Sequence, residues 1–134
     1  MRFVGGMFVL ILSWFSFGQT VKIPDPHFKT YLLTFYDTNH DGEISVNEAE
    51  AVIRMVCDSR QIADLTGIAA FTNLEELSCY ENQLTGMPGI SSLTKLWRLD
   101  AGSNQLTSLP DLSALTNLTN LPIWSSVKPP FGGR

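Results

Sequence analysis

Twelve residues from Asp37 to Glu48, D-T-N-H-D-G-E-I-S-V-N-E, set oxygen-bearing side chains at nearly alternate positions: Asp37, Asn39, Asp41, Glu43, Ser45 and then Glu48. Hard cations such as calcium take six to eight oxygen ligands, and this spacing lets one short loop supply them. Asp37, Asn39 and Asp41 would each give a side-chain oxygen and Glu43 its backbone carbonyl. Ser45 would act through water, and Glu48 would close the site with both carboxylate oxygens. Gly42 stands where the chain must turn sharply. Ile44 points away from the ion.

These residues match every ligand position of the EF-hand pattern D-x-[DN]-x-[DN]-G-x5-E. Each piece also has a plainer reading, since Asp and Asn beside Gly make ordinary turns and Ser45-Val46-Asn47-Glu48 is a helix capping box. Six matched positions at fixed spacing favour calcium. The loop needs a helix on each side. Asp25 can cap an entering helix with Pro26 at its first position, and Phe28, Tyr31, Leu32 and Phe35 recur at helical spacing. Beyond the loop, Ala49, Val52, Ile53 and Val56 repeat that spacing and predict an exiting helix. A dockerin-type module uses a similar loop, but usually in two copies and without a proper entering helix.

Met1 to Gly18 has a cationic start at Arg2 and an apolar run from Phe3 to Phe17 with small residues at its end. This predicts a signal peptide over 1–18, cleaved after Gly18, and a secreted or cell-surface protein. A membrane span needs about 20 apolar residues, and this run is shorter and broken by Gly5 and Gly6. After cleavage, no transmembrane segment is expected. The full chain carries nine basic and thirteen acidic residues, a net charge of −4. Four of the acids lie in the calcium loop. Without clustered Lys and Arg, nucleic acid is not an expected partner.

From Val52 onward the chain repeats itself. Leu74-Glu-Glu-Leu77-Ser-Cys79-Tyr-Glu-Asn82-Gln-Leu84 matches Leu96-Trp-Arg-Leu99-Asp-Ala101-Gly-Ser-Asn104-Gln-Leu106, and 96 minus 74 gives a period of 22. Leu118 starts another unit, and Val52, Met55, Cys57 and Ile62 fit a degenerate first one. L-x-x-L-x-L-x-x-N-x-L at this period is a leucine-rich repeat, in which each unit makes a short strand and a return loop and buries its apolar side only by stacking. Asn82 and Asn104 should turn inward to bond loop backbones. Leu65, Ile68 and Phe71 align with Met87, Ile90 and Leu93, then with Leu109, Leu112 and Leu115, as the return segments. The expected fold is α+β: a short helical EF-hand-like cap over 19–53, a right-handed repeat solenoid with a short parallel sheet over 54–126, and an irregular tail over 127–134.

The run Ile23-Pro-Asp-Pro-His-Phe-Lys-Thr-Tyr-Leu, the calcium loop, and Ile62-Ala-Asp-Leu-Thr-Gly-Ile followed by Asn-Leu-Glu-Glu-Leu-Ser-Cys-Tyr-Glu-Asn-Gln-Leu resemble secreted leucine-rich-repeat proteins of Bacteroidetes. The repeat type is similar to that of internalins. The resemblance covers roughly Ile23 to Ile123 and implies a surface or secreted binding protein whose repeats follow a calcium-binding cap. Family members are generally longer. At its end this chain departs from the pattern, with Ser126 where the repeat wants Asn and Pro122 in a strand position.

Cys57 and Cys79 share one repeat position a coil apart. Parallel neighbouring strands orient matching side chains alike, an awkward geometry for a bridge, so buried free thiols are favoured over a disulfide. Side chains leaving the core fall in three columns: Arg54, Glu76, Arg98 and Asn120; Val56, Ser78, Asp100 and Pro122; Asp58, Tyr80, Gly102 and Trp124. The first alternates in sign and can form a stabilising ladder. Aromatic and charged residues there make Glu76, Ser78, Tyr80, Arg98, Asp100 and Trp124 the candidate contacts for a protein or glycan ligand. His27 and His40 lack a nucleophile pattern, and no zinc motif is present, so catalysis is not expected. The reading is a secreted binding module stabilised by one calcium ion; the alternatives are a calcium-responsive switch or a non-binding front part of a longer adhesin.

Overall fold

The computed structural model describes residues 19–122, so the predicted signal peptide, Trp124, Ser126 and the tail lie outside the described residues. Helix α1 (Pro26–Tyr36) starts as its sequence requires. Asp25 is extended, and its Oδ1 accepts from the His27 and Phe28 amides at 2.9 Å each, with Pro26 in the first turn. Phe28, Tyr31 and Leu32 are buried. Phe35, expected on the same stripe, is instead 55% exposed, with the Arg60 guanidinium 5.7 Å from its ring and 5.3 Å from that of Tyr31.

Helix α2 (Val46–Glu50) begins with the capping box: the Ser45 hydroxyl accepts from the Glu48 amide, and the Glu48 carboxylate accepts from the Ser45 amide. The longer exiting helix expected through Val56 does not form. Val56 belongs to strand β1 (Arg54–Val56) and is largely exposed, as is Ile53. Two periods competed here. Val52, Met55 and Cys57 are buried in the repeat frame, and β-branched Val52 and Ile53 suit an extended chain better than a helix.

Strands β1, β2 (Glu76–Ser78) and β3 (Arg98–Asp100) form a parallel sheet in that order. Register is Arg54, Glu76, Arg98, then Met55, Leu77, Leu99, then Val56, Ser78, Asp100, and a bridge from Arg98 to Asn120 adds the next coil. The chain returns through 3-10 turns at Ile68–Ala70 and Ile90–Ser92, whose Ile68 and Ile90 are buried with Phe71 and Leu93. Leu109 is 61% exposed, whereas its counterparts Leu65 and Met87 are buried, because no further coil covers it among the described residues.

Asn82 and Asn104 turn inward. The Asn82 amide oxygen accepts from the Arg60 and Ile62 N–H groups at 3.0 Å, while its nitrogen donates to the Cys57 and Cys79 carbonyls. Asn104 repeats this one coil on, accepting from Leu84 and donating to Cys79 and Ala101. Cys57 and Cys79 are buried free thiols that stack with Ala101 in one inward file.

Several contacts join cap to repeats. The second oxygen of Asp25 accepts from the Ala63 and Asp64 amides at 2.9 and 3.1 Å, so one carboxylate caps α1 and pins the first coil. At the outer edge of β1, the Tyr36 hydroxyl donates to the Arg54 carbonyl at 3.2 Å and the Val56 amide bonds the Tyr31 hydroxyl. This satisfies an edge that would otherwise invite another strand. Gly67, at φ 107, lies against the segment before α1, where a Cβ would come within 2.8 Å of the Lys22 carbonyl.

Candidate calcium loop and recognition face

The loop between α1 and α2 is shaped by its own acids. Asp37, buried at the end of α1, accepts from the Asp41 amide at 3.2 Å and the Gly42 amide at 3.0 Å. Asn39 accepts from Asp41 and donates to its carboxylate at 3.1 Å; Asp41 accepts from the Glu43 amide. His40 and Gly42 both take positive φ, 59° and 83°, which lets the chain turn tightly enough for these bonds. The Glu43 carboxylate faces the Lys29 ammonium at 3.0 Å.

Glu48 closes the loop. One oxygen accepts from the Thr38 amide at 2.7 Å, the Thr38 hydroxyl at 2.9 Å and the Asn39 amide at 3.3 Å; the other accepts from the Ser45 amide and hydroxyl. Burial would raise this carboxyl, but the Ser45 and Thr38 donors outweigh it and hold it down at about 2. Five donors exceed the roughly four lone-pair sites of a carboxylate. A cation ligated by Glu48 would have to displace some of them, and Thr38 is the residue sequence reasoning missed. Ser45 is buried and occupied with Glu48.

Among the described residues, no three His, Cys, Asp or Glu side chains already stand as a metal cage. The donor set nevertheless suits a hard ion in kind: Asp37, Asn39 and Asp41 keep lone pairs, all donors are oxygens, and the first and last ligands are buried and tied to one turn. Opposite the loop, Gln19–Val21 runs antiparallel to it. Thr20 bridges Ser45, the Val21 amide donates to the Ile44 carbonyl and the Val46 amide to the Gln19 carbonyl, both at 2.7 Å. Ile44 is fully buried.

On the sheet's outward face, five of the six predicted contacts lie together, the sixth, Trp124, being outside the described residues. Glu76, Ser78, Arg98 and Asp100 are half-buried and Tyr80 is 43% exposed. The expected charge ladder is partial: Arg54 Nε lies 3.7 Å from Glu76, while Arg98 has no ion-pair partner among the described residues. Asp58 is the organising residue here and was absent from the candidate contacts, though it shares the Tyr80 column. Its Oδ1 accepts from the Ser78 hydroxyl at 2.6 Å and the Tyr80 amide at 2.9 Å. Asp100 accepts from the Gly102 amide at 3.1 Å.

No family model matches the sequence, and no curated protein matches it. Among solved structures, internalin InlF of Listeria monocytogenes superposes with a TM-score of 0.68 at 30% identity, over 74% of this chain and 29% of that one. The functional domain of InlJ from the same organism, which includes a cysteine ladder, superposes with a TM-score of 0.69 at 32% identity, over 78% of this chain and 24% of that one. The CBM51-2 and INT domains of ZmpB from Clostridium perfringens share the fold, with a TM-score of 0.58 at 23% identity over 68% of this chain and 19% of that one. This chain therefore has an internalin-like leucine-rich-repeat fold and spans less than a third of the length of these structures.

Proposed function

We propose that this chain is a secreted or cell-surface binding module whose outward strand face recognises a protein or glycan, with one calcium ion stabilising the cap that seals the first coil. The observation that carries this reading is the in-register face itself. Rows from successive coils place half-buried charged and aromatic side chains on one surface, mounted on a sheet whose inward residues are fully packed. Rigid strands hold such side chains at low ordering cost, which favours recognition. Likeness to internalins supports the binding role, and the InlJ ladder gives a counterpart for the stacked cysteines. Secretion rests on the signal-peptide pattern of 1–18. No helix among the described residues is long and apolar enough to cross a membrane.

Calcium binding rests on the six matched loop positions and on the oxygen-only donor set. It is a static clamp in this reading rather than a switch. Sensors usually pair two loops, while the partner strand here is Gln19–Val21 of the same chain. An ion that binds only the folded loop stabilises the chain by about 1.4 kcal/mol at ten times its Kd. The test is thermal unfolding with millimolar calcium, with chelator, and with magnesium as control. A calcium-specific rise in midpoint is expected, lost in Glu48→Gln, whose one amide oxygen can keep the capping-box bond to Ser45 but which loses the charge and the second carboxylate oxygen. An unchanged calcium response in that variant would refute the site.

A further inference from the structure

The Tyr80 ring lies over a gap that only glycine leaves open. A Cβ at Gly102 would stand 3.1 and 3.3 Å from Tyr80 Cδ2 and Cε2, so the ring rests against the backbone of the next coil while remaining 43% exposed. Gly102 does not adopt a left-handed conformation, so its lack of a side chain answers to the ring and not to a turn. Two carboxylates flank this platform. Asp58 is fixed by the Tyr80 amide and Ser78 hydroxyl, Asp100 by the Gly102 amide; in each, all these bonds fall on Oδ1. Neither is in an ion pair among the described residues, and their Oδ2 atoms are left to accept from a ligand. A hollow of ≈140 Å³ is lined by Asp58 and Ser78 together with Arg54, Glu76 and Arg98.

We infer that Tyr80, Asp58 and Asp100 form a binding site for a neutral carbohydrate. A sugar ring offers an apolar C–H face rimmed by hydroxyl donors. The first suits the exposed aromatic face and the second the flanking carboxylates, whose charge strengthens each hydrogen bond. Both carboxylates are held by the backbone before any ligand arrives, which lowers the cost of binding. A basic peptide is the competing occupant, since it too would pair with Asp58 and Asp100. Arg98, two residues from Asp100 and without an ion-pair partner among the described residues, opposes a cationic ligand and leaves a neutral polyol unaffected. The adjoining hollow gives a neighbouring sugar unit a place to sit. The inference rests on the strand face being the recognition surface and specifies its ligand class.

The test is titration of the ¹⁵N-labelled chain from residue 19 with chitotetraose, cellotetraose and mannotetraose, with tetragalacturonate as the acidic counterpart and a Lys-rich decapeptide as the basic one. At least one neutral sugar is expected to move the Tyr80 and Gly102 amides with saturation at millimolar concentration or below, and tetragalacturonate to bind at least tenfold more weakly. Tyr80→Ala should weaken binding tenfold or more. Asp58→Asn keeps an acceptor for Ser78 and Tyr80 but loses the open carboxylate oxygen, and Gly102→Ala displaces the ring without backbone strain; each should weaken binding several-fold in a chain with an unchanged unfolding midpoint. No response at Tyr80 and Gly102 to any neutral sugar, or equal affinity in Tyr80→Ala, overturns the inference. Decapeptide binding at these residues without sugar binding overturns it too, while leaving the strand face as a recognition surface. Partner contacts that map wholly off the strands would remove both.

Discussion

Asn82 carries more of the fold than its size implies, because its one amide group serves backbone groups of two coils at once and is buried. Truncation would leave several buried donors and acceptors unpaired, each worth about 1–3 kcal/mol. Asn82→Ala should therefore lose about 3 kcal/mol or more in denaturant unfolding. Asn104→Ala should lose less, since Asn104 is only half-buried. The stacked thiols make a second test at this scale. Burial first, then the Asp58 charge, pushes the Cys57 thiol up to about 12, and burial raises Cys79 as well. At pH 8 both are protonated and shielded, so a thiol reagent should label neither in the native chain and both after denaturation. Rapid labelling of one thiol in the native state would contradict the inward file. Both features were legible in the sequence, since a repeat of 22 residues assigns every inward position once one unit is recognised. The role of Asp58 was not legible, because hydrogen bonds to the neighbouring coil leave no periodic trace.

The cap elements obey local rules up to the point where the repeat takes over. Asp25, Pro26 and the capping box fixed both helix starts, as their residue types require. The exiting helix stops short because Ala49, Val52, Ile53 and Val56 fit a helical period only locally, while stacking on the next coil rewards the L-x-x-L-x-L spacing of Val52, Met55 and Cys57. Pairing of Gln19–Val21 with the loop was invisible for a different reason: three residues carry no period, and their partner is set by topology. The junction of cap and repeats yields a pH prediction. Burial would raise the Asp25 carboxyl, but the Phe28, Ala63, Asp64 and His27 amides outweigh it and hold it below the ordinary value. A depressed folded pKa means that its stabilisation is complete above about pH 4 and is lost as pH falls through the folded value. Asp25→Asn can still cap α1 but presents a donor to the Ala63 and Asp64 amides. It should cost about 1–2 kcal/mol at pH 7. Unfolding midpoints measured from pH 6 to pH 2 should fall less steeply in the variant than in the parent; parallel acid limbs would show that this carboxylate is not the link.

At the scale of the molecule, the apolar core runs without a break from Ile23, Phe28 and Leu32 in the cap through Met55, Leu77 and Leu99 to Leu115 in the last coil described. Separate cap and solenoid domains would need separate cores, whereas the buried side chains of cap and repeats form one cluster. Tyr31 and Tyr36 on the edge of β1, and Asp25 on the first coil, add polar links across the same junction. Repeat arrays can lose cooperativity as they lengthen, but with so few coils the ends remain within reach of one another. Cap and repeats should therefore unfold together. The helix signal in circular dichroism reports α1 and α2, whereas tryptophan fluorescence reports Trp97 and the C-terminal coils. Their melting curves should coincide, both with chelator and with calcium, and calcium should move them by the same number of degrees although the loop precedes the repeats in the chain. If calcium shifted the helix signal alone, the loop would stabilise a cap that folds by itself, and the ion would have no means of bracing the proposed binding face.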